Sequence, residues 1–178
     1  MANWSTTVID IWSDNSKNIS DATDYLINNC IQDDWLDGSH LMPDDSIESR
    51  SLYNGGTIID KEFTGTSINF ILEGRWCGPS GLFCYICETY NLSGFYIDRE
   101  PGADFTHVVE YMDGTEVVNQ EDDYISALSF KHMSLDEMFE DVYWALSTPE
   151  GRTENPKLLL KFMKLSNLPL EDIIAYYE

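Results

Sequence analysis

Basic side chains are scarce in this chain. It carries 10 Lys and Arg against 32 Asp and Glu in 178 residues, a formal net charge of −22. Holding nucleic-acid phosphates takes Lys and Arg, so direct binding of DNA or RNA is not expected. Long apolar runs are missing too, and with them any expected transmembrane helix. The first residues, MANWSTTVIDIW, lack a basic segment and carry Asp10, so they do not read as a signal peptide. A cytoplasmic protein without membrane contact is the expectation, its four Cys kept as thiols. Histidine is limited to His40, His107 and His132, without H-x-x-x-H or H-E-x-x-H spacing. G-x-S-x-G, P-loop, G-x-G-x-x-G and EF-hand segments are all absent. No motif names a nucleophile, a phosphate cradle or a metal, and neither cofactor nor metal is expected.

What is present is enough apolar material for a core: 43 % hydrophobic residues, with 13 % aromatic. An acidic disordered segment would lack those aromatics. WSTTVIDIW, residues 4–12, reads as a strand. SDATDYLINNCI predicts a helix capped by Ser20, with Cys30 on its buried side. Residues 32–50, with Gly38 and Pro43, read as a loop. TIIDKEF and SINFILEGRW read as strands around a TGT turn. CGPSG then opens a second helix at Pro79, with Leu82, Phe83, Ile86, Cys87 and Tyr90 on one face and Asn91 at its end. LSGFYIDRE and DFTHVVEYMDG are two further strands joined by EPGA, followed by a hairpin return.

The C-terminal part reads as helices. Ser134 and Glu137 have capping-box spacing. Leu135, Met138, Phe139, Val142, Tyr143 and Leu146 recur with helical period. TPEGRTENP reads as a linker, Asn155–Pro156 as the start of a second helix, and NLPLEDIIAYYE as a third. The order up to residue 118 is β-α-β-β-α-β-β. The expected fold is therefore α+β: a ferredoxin-like antiparallel sheet with two helices on one face over residues 1–130, and a helical C-terminal extension over 131–178. The Leu135/Phe139/Tyr143 stripe is expected to pack on that domain or on a second copy, making a homodimer through the C-terminal helices.

Several segments resemble one known family. They are MANW, HLMPDD, EGRWCGPSG and FYIDREPGADFTHVVEYMDGTEV, in that order. They are similar to the YubB-type ferredoxin-like domain family, whose members are small proteins carried by plasmids, phages and prophages. The family pattern matches here at Met1, Asn3, Trp4, Leu41, Pro43, Trp76, Pro79, Glu100, Pro101, Gly102 and Phe105. The chain departs from it in having Cys-Gly-Pro where Ser-Pro-Pro or Cys-Pro-Pro is usual. The resemblance covers roughly residues 1–118. It implies a fold and a mobile-element setting; the family's function is unassigned.

Two constellations compete as functional sites. Cys84 and Cys87 form C-x-x-C, with Cys77 nearby. Redox pairs sit at a helix N-terminus, whereas this pair lies inside the predicted helix, and a structural zinc site takes four ligands. Buried thiols acting as small hydrophobes are the better reading. A cleft around Trp76, His107 and Glu100 is the alternative, serving a small ligand or an enzymatic reaction.

The acids themselves form clusters: Asp33, Asp34 and Asp37; Asp44, Asp45 and Glu48; Glu121, Asp122 and Asp123; Asp136, Glu137, Glu140 and Asp141. Residues 1–151 hold 28 acids and 6 bases, and residues 152–178 hold 4 of each. The −22 charge equals that on about 37 Å of DNA duplex, close to the roughly 40 Å span of a compact chain this long. The leading expectation is a non-enzymatic mobile-element protein. It would bind a basic or nucleic-acid-binding host defence protein through these clusters and inhibit it, as a DNA mimic of anti-CRISPR or anti-restriction type. Small-ligand binding and a self-assembling structural module are the alternatives.

Overall fold

The computed structural model describes residues 4–44, 52–53, 55–75, 78–100, 105–127, 130–131 and 133–178. The chain divides into two compact units, Met1–Glu121 and Asp122–Glu178. The boundary lies ahead of the expected one at 130 because Tyr124, Ile125 and Phe130 belong to the core of the second unit.

The first unit is built on an eight-stranded antiparallel sheet. Its strands are β1 (Trp4–Trp12), β2 (Ile31–Gln32), β3 (Trp35–Leu36), β4 (Gly56–Phe63), β5 (Ser67–Arg75), β6 (Ser93–Glu100), β7 (Phe105–Met112) and β8 (Thr115–Asp122). They lie in the order β2-β3-β4-β5-β1-β6-β7-β8. β1 pairs on one side with β5, Val8 opposite Ile71, and on the other with β6, Val8 opposite Ile97. Helices α1 (Ser16–Asn29) and α2 (Ser80–Tyr90) share one core with Ile9, Ile11, Ile68, Phe70, Leu72, Tyr96, Val109 and Tyr111. Alternation along β1 explains the layering: odd residues from Ser5 to Ile11 are buried, while Val8 and Trp12 are exposed.

Three local expectations are corrected. The first helix begins at Ser16, a turn before Ser20. Asn15 caps it, Oδ1 accepting from Lys17 N–H at 3.1 Å, and this extra turn buries Ile19 beside Ala22 and Leu26. Residues 31–36, expected mostly as loop, form the β2–β3 hairpin, with Asp33 at φ 55° in its turn. The helix after CGPSG starts at Ser80 with Pro79 as its N-cap residue, and Asn91, at φ 54°, ends it as expected. The hairpin return holds: Asp113 and Gly114, at φ 47° and 72°, form the turn from β7 to β8. Of EPGA, Glu100 ends β6 and the other three residues lie outside the described ones.

The second unit consists of α3 (Leu135–Asp141), α4 (Tyr143–Leu146), α5 (Pro149–Glu154), α6 (Pro156–Ser166) and α7 (Leu170–Tyr177). Its core joins Met138, Phe139, Val142, Leu146, Phe162 and Ile173. Phe139 is its centre: it stacks on Tyr176 at 3.7 Å and meets Phe162 and Tyr177 edge-on. The Ser134–Glu137 capping box forms as read. The Leu135/Phe139/Tyr143 stripe does not form a common buried face. Val142 leaves helical geometry at φ −103°, ψ 8°, which breaks the helix and turns Tyr143 outward, 60 % exposed, while Leu135 is 44 % exposed. The expected linker is helical in α5, because Thr148 caps it and Pro149 occupies its first turn. Among the described residues no helix is long and apolar enough to cross a membrane.

Candidate functional site

The acidic residues expected to meet a partner are spread over both units. Asp33 and Asp34 are exposed at the β2–β3 turn, and Asp44 is exposed. Asp37 acts locally, its carboxylate accepting the N–H and the hydroxyl of Ser39 at 2.7 and 2.9 Å. Asp45 and Glu48 lie outside the described residues. Glu121 ends the first unit, and Asp122 and Asp123 begin the second. Asp122 accepts from Asp123 N–H at 2.8 Å, and Asp123 pairs with Lys161 at 2.7 Å. On α3, Glu137 closes the capping box, Asp136 accepts the Tyr176 hydroxyl at 3.1 Å, and Asp141 accepts the Tyr124 hydroxyl at 2.7 Å. Glu140 is exposed. The helix thus gathers four of these acids, and three of them fasten the unit's own structure.

A different surface, not singled out from the sequence, lies on the sheet face away from α1 and α2. Val8, Trp12 and Ile71 are 37, 43 and 39 % exposed there. The register sets Val8 beside Ile71 and Asp10 between Asn69 and Phe95. Trp12 and Phe95 meet edge-on at 6.4 Å. A groove of about 250 Å³ crosses this strip, walled by Asp10, Asp60, Lys61 and Glu62. The strip thus sets exposed apolar side chains directly beside acidic ones. A signal was available: WSTTVIDIW places apolar residues at both parities, and a two-layer fold can bury only one.

The helix-facing side holds buried acids. Asp98 is fully buried and Glu100 is 4 % exposed. Thr7 donates its hydroxyl to Asp98 Oδ1 at 2.8 Å, while among the described residues no group meets Asp98 Oδ2 or Glu100 Oε1 at full hydrogen-bonding geometry. Burial raises the Asp98 pKa; the Thr7 and Ser5 hydroxyls, the Gly78 N–H and the nearby His107 pull it back only in part. Gly78 explains why the helix opens with Cys-Gly-Pro: a Cβ there would lie 2.1 Å from Thr7 Oγ1, so only glycine brings this N–H up to the carboxylate. His107 faces Asp98 across the β6–β7 ladder, its ring 5.7 Å from that of Tyr96. Two of the three residues named for the alternative cleft, His107 and Glu100, therefore share one face of the sheet. Trp76 lies outside the described residues.

A second cavity, of about 490 Å³, opens between α2 and strands β7 and β8, with Cys84, His107 and Asn119 among its lining residues. Those three residue types can build a nucleophilic thiol site, but the electrostatics oppose it. Burial pushes the Cys84 thiol up to about 11, with Glu116 and Glu88 adding to the rise. Cys30 is raised to about 12 by burial and Asp37, and Cys87 is raised further by burial. Protonated thiols are poor nucleophiles and poor metal ligands. Cys30 and Cys87 are buried in the sheet unit's core, as expected of small hydrophobes. His40 accounts for itself structurally, bonded to the Tyr25 hydroxyl at 2.8 Å. No protein-family model, curated protein or solved structure matches the chain.

Proposed function

We propose that the chain is a non-enzymatic acidic protein of a phage or plasmid that binds a basic, nucleic-acid-binding host defence protein in the cytoplasm and inhibits it. The observation that carries this reading is the strip of Val8, Ile71 and Trp12 beside Asp10, Asp60 and Glu62, on a unit with 21 acids and 5 bases. The carboxylates would steer a basic partner in, and the apolar strip would hold it. The total charge of −22, close to that of a duplex segment of like span, is in keeping with a mimic of anti-CRISPR or anti-restriction type. The apolar anchor is something a duplex backbone lacks. A ferredoxin-like reading of the sheet unit is supported by the order β4-β5-β1-β6 and by two helices sharing one core. The YubB-type resemblance supplies the mobile-element setting.

The test is affinity capture from host lysate at low and high salt, repeated with D10N/D60N/E62Q and with W12S/I71S. A nucleic-acid-binding protein should be held at low salt, released at high salt and lost with both variants, and its activity should fall when the wild-type chain is added. Capture that survives both variants would sink the proposed surface. A second reading, self-assembly, is favoured by Tyr143, Trp144 and Leu160, which are 60, 64 and 67 % exposed on the helical unit. Its salt dependence has the opposite sign. Screening relieves repulsion between like-charged copies, so sedimentation should show association rising with salt.

A further inference from the structure

We infer that the cavity between α2 and strands β7 and β8 is a binding site for a small organic cation, an ammonium group on an apolar body. Its volume of about 490 Å³ lies within the range of small-ligand pockets. Glu88 and Glu121 supply carboxylates, Tyr53 and Tyr85 supply rings, and no Lys or Arg is among its described lining residues. An anion would meet like charge with nothing to offset it. A purely apolar molecule would leave the polar groups without water. An organic ammonium satisfies both features, pairing with a carboxylate while resting on a ring face.

The groups are held before any ligand arrives. Glu88 Oε1 accepts the Tyr111 hydroxyl at 2.6 Å. The Tyr85 ring lies 5.6 Å from that of Tyr25. The Tyr53 ring packs on the backbone of α2 at Gly81, where a Cβ would come within 2.9 Å of it. A chain of hydrogen bonds also fixes the histidine. Asn119 Nδ2 donates to Glu116 Oε2 at 3.0 Å, so Asn119 Oδ1 faces His107 Nε2, also at 3.0 Å. Nε2 must then carry the hydrogen, so the ring is held in one orientation at the cavity wall.

The experiment is an amide-resolved NMR titration of the full chain with benzylamine hydrochloride. Benzyl alcohol serves as the neutral isostere and benzoate as the anion. Saturable shifts are expected for benzylammonium at Cys84, Tyr85, Glu88, His107 and Asn119, far weaker ones for the alcohol, and none for benzoate. Glu121→Gln should weaken benzylammonium about two- to fivefold, the scale of one exposed ion pair. Glu171→Gln, on the helical unit, should leave the affinity unchanged and so exclude a general effect of net charge. Equal shifts with benzyl alcohol, shifts scattered over all acidic surfaces, or no saturable shift at these amides would each overturn the inference.

Discussion

The sheet unit is held together by partners far apart in the chain, and the helical unit by near neighbours. β1, at Trp4–Trp12, gains its partners only when β5 and β6 arrive, at Ser67–Arg75 and Ser93–Glu100. In the helical unit five helices follow one another within Asp122–Glu178, each a short turn from the next. Their use of acidic side chains differs as well. The sheet unit buries Asp98 and Glu100 in its interior, whereas on α3 Asp136 and Glu137, exposed, and Asp141, half-buried, fasten a cap and two hydroxyls. Full burial of acids is thus seen in the sheet unit, while local ties by carboxylates occur in both. The sheet unit carries a net −16 and the helical unit, with 11 acids and 5 bases, a net −6.

Core truncation is the strongest way to test whether the units are separate. Phe70 is 2 % exposed in the sheet core and Phe139 is 1 % exposed in the helical core. Cutting either to Ala should cost about 3–5 kcal/mol. With F139A, amide exchange should accelerate through residues 122–178 while the strands keep their protection. F70A should do the reverse. Collapse of both units with either variant would show one cooperative structure and end the comparison.

What could be read in advance follows the same division. The strands of the sheet unit were legible because β-branched and aromatic residues alternate between clear turn signals, as in TIIDKEF–TGT–SINFILEGR. The two-residue strands β2 and β3 were not, because a pair such as Trp35–Leu36 carries no periodicity; the strands exist through pairing with β4. The start of α1 was misplaced because Ser20 and Asn15 are both good caps, and the choice between them rests on burying Ile19, a tertiary fact. In the helical unit, periodicity predicted one helix through Leu146, and the break at Val142 has no marker residue. The exposed strip on the sheet was visible in part, as misplaced apolar parity in β1. The buried acid at Asp98 was not, since one Asp among 32 acids carries no label.

Asp98 gives a smaller and more specific test of how the sheet unit carries its charge. Its pKa is raised above its ordinary 3.8 by burial, so between that value and the raised one the folded chain holds more protons than the unfolded chain. Stability contributed by Asp98 is therefore fully present at low pH and is lost as pH rises through the folded pKa. Asp98→Asn removes the charge and keeps an acceptor for Thr7. The variant should be more stable than the native chain at pH 7, by about 1 kcal/mol, with the advantage shrinking as pH falls towards 4. Thermal melts across that range would show it. A variant less stable at pH 7 would mean that the carboxylate is retained as an anion by its donors.

The finest comparison sets one helix cap against another. Asn15 caps α1 with a single side-chain bond to Lys17 N–H, at 3.1 Å. Ser134 caps α3 reciprocally: it accepts from Glu137 N–H at 3.3 Å, and Glu137 accepts from Ser134 N–H at 2.6 Å. Replacing either by Ala should cost about 1 kcal/mol. The effects should still differ in reach. α1 has 14 residues and is pinned at Ile19, Ala22 and Leu26, so Asn15→Ala should fray only its first turn. α3 has 7 residues and ends at the break beside Val142, so losing its cap removes the signal that starts it. With Ser134→Ala, amide protection should fall along the whole of α3 and its contacts with Tyr176 should loosen, while Asn15→Ala should leave protection beyond Ala22 unchanged. Equal, local fraying in both helices would mean that the core around Phe139 holds α3 without its cap, and that the helical unit depends on tertiary packing as fully as the sheet does.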